Sequence, residues 1–367
     1  MMDHEGLKLV RSGKTPIYHQ LGHQLAQMIA RGVLAPGLQL PGVPALGKRL
    51  HITDRTVRQA YRILEEKGLV KVIKGKGTFI LDPRVRIQSV KTITVLHNHP
   101  LNQDHEDQLF CLGVYRGISA EARARGWKVT FVSPYPNSDE QLAELQASGF
   151  IVFAANTDSL GALLRLKDAG AAAVTIDGPD GVFLNVRSDD DQGISLVIDH
   201  LYHRGHRRIG LLADSPLIFS TQRRTEAYFR AMGAHHLNLR PSWIHTTRSL
   251  YLQDESEQEE LFRKMFEGDQ PPTAVVTMSG YTAMSLLQVL HRHDVDGKVP
   301  DQVSVCGYDD WRAFAFAAPP LTTVRQPLES IGRTAVKFLL DRLEEKEVSS
   351  VVLPVELVER KSTGNAP

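Results

Sequence analysis

Between positions 16 and 81 the apolar residues recur at helical spacing three times and then change to short extended runs. Leu21, Leu25, Met28 and Ile29 form one stripe, closed by Gly32. Pro36-Gly37 signals a turn, and Leu46 with Leu50 marks a second, shorter helix. Thr53 is placed to cap a third, because its hydroxyl can accept an N–H of the first turn. On that helix Val57, Tyr61 and Leu64 share one face, while Arg55, Arg58 and Arg62 lie on another at spacings of three and four; Gly68 ends it. LVKVI and TFIL then flank Lys74-Gly75-Lys76-Gly77, a hairpin with a cationic tip. Two short helices followed by one with a basic exposed stripe predict a helix-turn-helix whose third helix enters the DNA major groove. The hairpin predicts a contact with phosphate.

From Lys91 onward the pattern alternates. Extended runs TITVLH, KVTFVS, FIVFAA, AAVTID, RIGLLA, AVVTM and VSVCGY are separated by helical patterns that include 109–125, 191–204, 221–232, 280–293 and 328–345. Repeated strand–helix order predicts parallel sheets covered on both faces, with enough units for two lobes. Open sheets of this kind bind ligands beyond the carboxyl ends of their strands. That rule singles out Asn98, Asn156, Asp177, Ser279 and Asp309, hydrogen-bonding groups suited to a polyhydroxylated solute.

Charge divides the chain at the same place. Residues 1–90 carry 15 Lys and Arg against 6 Asp and Glu, a net +9, and the remainder carries a net −8. A basic head is what a polyanionic duplex attracts. The 367 residues exceed one compact core, so two or three domains are expected. No run reaches the roughly 18 consecutive apolar residues of a membrane span. MMDHEGLKLVRSGK lacks the apolar core of a signal peptide. Cys111 and Cys306 are the only cysteines, which suits a reducing compartment rather than a disulfide framework. A cytoplasmic location is expected.

Residues 16–81 resemble the GntR-type winged helix-turn-helix, through PIYHQL, GVLAPGLQLP, TVRQAYRILEEKGLV and GKGTF. The resemblance implies DNA contacts at Thr56 and Arg58 and at the wing residues Lys74, Gly75, Lys76 and Gly77. Thr53 and Arg55 complete the expected DNA-binding set. The family usually has Arg where this chain has Pro44 and Asp54; Arg55 stands beside the latter. Residues 92–363 resemble the LacI/GalR sensor domain, itself similar to periplasmic sugar-binding proteins. The matching strings are IDGP, SDDDQGISLVIDHLYHRGHRRIGLL, RTEAYFRAM, VSVCGYDD, PPLTTVRQPLESIGRTAVKFLL and LPVELVERKST. Its effector positions fall on Phe110, Asn156, Asp177, Asp189, Arg224, Ser279 and Asp309. The family's usual Asn-Asp is Ser279-Gly280 here, so the ligand is not copied from a relative.

The resulting expectation is an α/β protein. A winged helix-turn-helix occupies 1–81, a basic linker 82–91, and a two-lobed, doubly wound, periplasmic-binding-protein-like sensor 92–363. The first lobe is expected at about 92–187 plus 314–345, the second at about 188–313 plus 346–363. The expected partners are double-stranded operator DNA, a small-molecule effector of sugar type, and a second copy of the chain, with no membrane. No catalytic residue, cofactor or metal is expected. His200, His203 and His206 have spacings that suit zinc, but Gly205 breaks the helix between them. Asp189, Asp190 and Asp191 read as a pocket residue followed by carboxylates favourable at a helix start. Trp311 suits a sugar-stacking wall and a core position equally. The alternatives are a solute-binding component of transport, an enzyme with a helix-turn-helix head, and a regulator with a vestigial pocket.

Overall fold

The computed structural model describes residues 7–11, 15–30, 32–73, 75–81, 91–97, 108–145, 147–153, 156–247, 255–293 and 299–367. The linker at 82–90, Lys74 and Asn98 lie outside them.

In the head, α1 (Ile17–Ala30), α2 (Val43–Leu50) and α3 (Asp54–Glu66) pack around Leu21, Leu25, Leu46, Val57, Tyr61 and Leu64. The apolar spacing read from the sequence is the spacing of this core. Strands β1 (Val70–Ile73) and β2 (Gly77–Ile80) pair antiparallel as the wing. A third strip joins on the other side of β2: Leu40 N donates to Thr78 O at 2.8 Å and Ile80 N to Leu38 O at 2.9 Å. The strip pins the wing back onto the helices.

Residues 7–11 are also part of the head. Gln24 exchanges two hydrogen bonds with the Lys8 backbone, at 2.8 and 2.6 Å. Gln20 does the same with Val10, at 2.8 and 2.9 Å. The match is geometric: four helical residues rise about 6 Å and two extended residues about 6.6 Å. Two side-chain amides on one helix face can therefore pair with alternate residues of an extended arm.

The body holds two six-stranded sheets. The first contains β3 (Thr92–Leu96), β4 (Lys128–Val132), β5 (Gly149–Phe153), β6 (Ala173–Ile176), β7 (Leu184–Ser188) and β13 (Val351–Leu353), all parallel. The second contains β8 (Ile209–Ala213), β9 (Ile244–Thr246), β10 (Ala274–Thr277), β11 (Ser304–Tyr308), β12 (Thr322–Arg325) and the antiparallel edge strand β14 (Glu356–Val358). The first lobe carries helices α4 (Gln108–Ala124), α5 (Asp139–Glu144), α6 (Leu160–Asp168) and α11 (Leu328–Leu343). The second carries α7 (Asp190–His203), α8 (Phe219–Ala234), α9 (Glu255–Phe266) and α10 (Gly280–Arg292). The central strands are buried along their whole length, as expected of parallel strands covered on both faces.

The chain passes between lobes three times: after β7, after β12 and between β13 and β14. The first crossing follows Ser188, the last residue of β7. The other two differ from the expected bounds. The expected boundary at 313/314 gave residues 314–325 to the first lobe, but β12 pairs in parallel with β11, Cys306 opposite Thr322. The expected boundary at 345/346 gave 351–353 to the second lobe, but β13 pairs with β7, Val351 opposite Val186. These strands are three or four residues long, and their place is set by the neighbour with a free edge. Pro327 and Pro354 follow the true crossings.

Candidate DNA interface and ligand cleft

The N-terminus of α3 is built by Thr53. Its hydroxyl accepts from Thr56 N at 3.2 Å and lies 2.9 Å from the Thr56 hydroxyl. This capping fixes where the helix begins, and so which residues its exposed face presents. Arg55, Arg58 and Arg62 are all exposed. Arg58 is paired with Asp54 only loosely, at 3.9 Å with its side chain 71% exposed, and Arg62 bonds Glu66 at 3.1 Å. Exposed pairs of this kind are worth little and exchange readily for phosphate. Arg11 was not in the expected set. Its Nη2 donates to His51 O at 2.9 Å, which sets a further cation on the turn that leads into α3.

At the wing tip, Gly75 and Gly77 have φ of +78° and +119°, a region closed to most side chains. Gly77 is required twice over, because a Cβ there would overlap the Gln39 amide. That amide donates to Lys76 O at 2.7 Å and steadies the tip. The expected wing contacts at Gly75, Lys76 and Gly77 thus sit on one fixed turn.

In the body, the residues just past the strand ends of one sheet meet their counterparts from the other. Thr157 N donates to Leu217 O at 3.1 Å, and Asn156 bridges to Ile218. Asp177, just past β6, accepts from Arg223 Nη2 at 3.1 Å. Ser188 Oγ donates to Gln326 at 2.5 Å, and Gln326 in turn donates to the Asp309 carboxylate. Asp177 and Asp309 have φ of +55° and +69°, a region that aspartate enters more readily than most residues. Non-glycine residues held there cluster at functional sites.

Two adjacent arginines occupy the centre. Arg223 Nε donates to Asp190 Oδ2 and Arg224 Nε to Asp190 Oδ1, both at 2.8 Å. Arg224 also donates to Met278 O at 2.5 Å and lies 3.6 Å over the Tyr308 ring. Burial by itself would lower the Arg224 guanidinium. Asp190, Tyr308 and Asp309 raise it instead, so it stays charged. Burial pushes the Asp177 carboxyl up against the pull of Arg223.

The run Asp189-Asp190-Asp191 divides by burial. Asp189, in the expected effector set, is the N-cap of α7 and accepts from Gln192 N at 2.9 Å. Asp190 takes the buried ionic position, and Asp191 pairs with Arg230 at the surface. Ser279 caps α10, accepting from Thr282 N at 3.2 Å. At Gly280 a Cβ would overlap the Phe314 ring, so the glycine makes room for an aromatic wall. Phe110 is half-buried, edge-on to Phe153 at 5.5 Å. Trp311 is half-buried against the apolar cluster of the second lobe. His206 is buried between Thr273 and Ser304, at 2.9 and 3.1 Å, a packing role unlike the surface position of His203.

Several residues of the cleft were not read from the sequence. Asp190 and Arg223 gave no signal, since each has a like neighbour. Asp214 did give one, because it directly follows the strand RIGLLA. It is 5% exposed, accepts from the Thr282 hydroxyl, and burial pushes its carboxyl up to about 7. Four side-chain atoms beyond strand ends are buried without a partner among the described residues: Ser133 Oγ, Asn156 Oδ1, Thr247 Oγ1 and Trp311 Nε1. They follow β4, β5, β9 and β11. Buried polar atoms need partners, and among the described residues none supplies one, which suits a ligand or water.

Residues 17–80 match the family model of gntR-family bacterial regulatory proteins, and residues 198–363 match the periplasmic binding protein-like domain. The arabinose metabolism transcriptional repressor of Geobacillus stearothermophilus is 27% identical over 371 residues, covering 95% of this chain and 98% of the relative. Among solved structures, the transcriptional regulator CelR–cellobiose complex covers 88% of this chain and 100% of its own, with a TM-score of 0.64 at 21% identity. The lac repressor dimer bound to operator and the anti-inducer ONPF covers 77% of this chain and 99% of its own, with a TM-score of 0.63 at 21% identity. At these identities the structures establish the fold of the body.

Proposed function

We propose that this chain, a GntR-type winged helix-turn-helix joined to a periplasmic-binding-protein-like body, is a transcriptional repressor whose hold on operator DNA is set by a small polyhydroxylated metabolite. One observation carries the reading. A capped helix presenting Arg55, Arg58 and Arg62 to solvent shares a chain with two lobes whose polar strand ends converge on one cleft. The head reads an operator through Arg55, Thr56 and Arg58 and grips phosphate through the wing. The body binds its ligand among Asn156, Asp177, Arg224, Ser279 and Asp309. Asn98 and Lys74 complete these two sets. The chain acts as a homodimer, because two heads on a palindrome multiply the effective affinity. The lac repressor, similar in fold, is a dimer on its operator. Ligand acts on DNA only by favouring one arrangement of the lobes over another. The role is regulatory, with no catalytic step. Among the described residues no helix is long and apolar enough to cross a membrane.

A regulator with a vestigial pocket is favoured by one fact: Asp177, Asp190, Arg223 and Arg224 already satisfy one another. The orphaned atoms of Ser133, Asn156, Thr247 and Trp311 favour a working pocket. Selection from a random duplex library followed by affinity measurement across salt tests the DNA half. The logarithmic slope should be about −0.9 per phosphate contact, and no enriched sequence together with no salt dependence would sink the regulator reading. A thermal-shift screen of sugars tests the other half. Ligand at 100 times its Kd should add about 2.7 kcal/mol of stability.

A further inference from the structure

Residues 7–11 lie ahead of the segment 17–80 that matches the gntR family model, yet they are built into the head. Leu7 and Leu9 pack onto its apolar core, while Lys8, Val10 and Arg11 are exposed. Two amides hold the backbone of the arm: Gln24 accepts from Lys8 N and donates to Lys8 O, and Gln20 does the same with Val10. This pairing runs antiparallel to α1, so the arm ends near the start of that helix, where Gln20 also donates to Thr15 O at 2.7 Å. There the Arg11 guanidinium donates to His51 O, 40 positions along the chain.

His51 is the C-cap of α2, left-handed at φ +53°, and Thr53 just after it caps α3. The guanidinium therefore sits on the turn of the helix-turn-helix. A cation is favourable at the C-terminal end of any helix, and that bond alone would make Arg11 a brace. Its place argues for more. In this docking mode the first helix crosses the sugar-phosphate backbone and the second enters the groove with its N-terminal residues. Here α2 is the first and α3 the second, so the turn between them stands at the rim of the groove. Arg11 is exposed at that rim, next to the cap of the turn that carries Arg55 and Thr56. Its planar fork of N–H donors can hold a carbonyl and a phosphate oxygen together. An arm that ordered only on DNA would lose conformational entropy on binding. The amides of Gln20 and Gln24 and the packing of Leu7 and Leu9 remove that cost beforehand.

We propose that residues 7–11 form a second DNA-contacting element, a pre-ordered arm whose Arg11 holds a backbone phosphate at the edge of the groove that α3 reads. This rests on the reading of the head as an operator binder. The test is fluorescence anisotropy on the full chain across salt, with the duplex selected from the random library and an unrelated duplex of equal length. Arg11→Gln should weaken both complexes about tenfold at low salt and flatten the logarithmic salt slope by about 0.9, because a phosphate contact carries no sequence information. Arg11→Lys, which keeps the charge, should keep the slope. Lys67→Gln makes the same charge change at the far end of α3, about 20 Å away along its axis, and should leave the slope as in the parent. Gln20→Ala with Gln24→Ala keeps every charge but frees the arm, and should weaken binding of both duplexes. An unchanged slope in Arg11→Gln overturns the assignment, even where the melting temperature falls, since Arg11 is then a brace of the turn alone. Equal flattening in Lys67→Gln overturns it as an effect of net charge. A loss confined to the selected duplex overturns the phosphate contact in favour of a base contact, and full binding by the double glutamine variant overturns the pre-ordered arm. A parent chain with no salt-dependent duplex binding overturns the operator reading itself and this assignment with it.

Discussion

At the scale of single residues, the cleft shows how one position alters the demands on another. Gly280 is glycine because Phe314 stands where a side chain would go, and Asp214 brings in the carboxylate that this helix start lacks. Gly280→Asp should therefore destabilise the second lobe by about 1–3 kcal/mol, the usual cost of overpacking. Adding Phe314→Ala should remove the clash. Thermal unfolding of single and double variants checks this, and purely additive losses would show that the two sites do not compete for space. Asp214 carries a pH signature as well. Its carboxyl sits at about 7 in the folded chain against an ordinary 3.8, so the folded state holds an extra proton between those values. The stability this contributes is fully present below pH 3.8 and is lost as pH rises through 7. Asp214→Asn, which cannot ionise, should melt above the parent chain at pH 8 and closer to it at pH 5. An equal offset at both pH values would show that the carboxyl is ionised throughout.

At the scale of elements, α3 was the most legible part of the chain. Val57, Tyr61 and Leu64 had to face inward, which left Arg55, Arg58 and Arg62 outward, and Thr53 had to be the cap. Thr53→Ala should lower head stability by about 1 kcal/mol and weaken duplex binding beyond that, because the first turn of α3 frays. Circular dichroism melting and anisotropy on one duplex separate the two effects; unchanged binding would remove the first turn from the interface. The short elements were illegible for a physical reason. Strands β9, β12, β13 and β14 are three or four residues long, too short for a period-2 pattern to stand out. The strip at 38–40 and the arm at 7–11 are held by long-range partners, Thr78 and the amides of Gln20 and Gln24.

At the scale of the molecule, the two lobes are joined by three crossings and closed by contacts between strand ends. The ionic one of these is the link from Arg223 to Asp177 across the lobes. Arg223→Ala leaves Asp177 buried without that partner, and losing one member of a buried pair costs up to about 3 kcal/mol. The variant should melt lower and show a larger radius of gyration in small-angle scattering. An unchanged radius would mean that the remaining contacts, among them Asn156 with Ile218 and Ser188 with Gln326, close the lobes without Arg223.

The sequence by itself determined the basic head, the acidic body, the α3 face and the parallel-sheet class, because periodicity, capping and net charge are properties of neighbouring residues. It also pointed to the strand ends as the proposed ligand floor, since apolar runs stop where the sheet stops, and by that rule Asp214 was within reach. Only the tertiary structure decided which of Asp189, Asp190 and Asp191 is buried with the arginines, since three identical side chains in a row differ only in what packs against them. Only it assigned β12 and β13 to their lobes, because a short strand joins whichever sheet offers a free edge, and that edge is made by residues more than a hundred positions away in the case of β13.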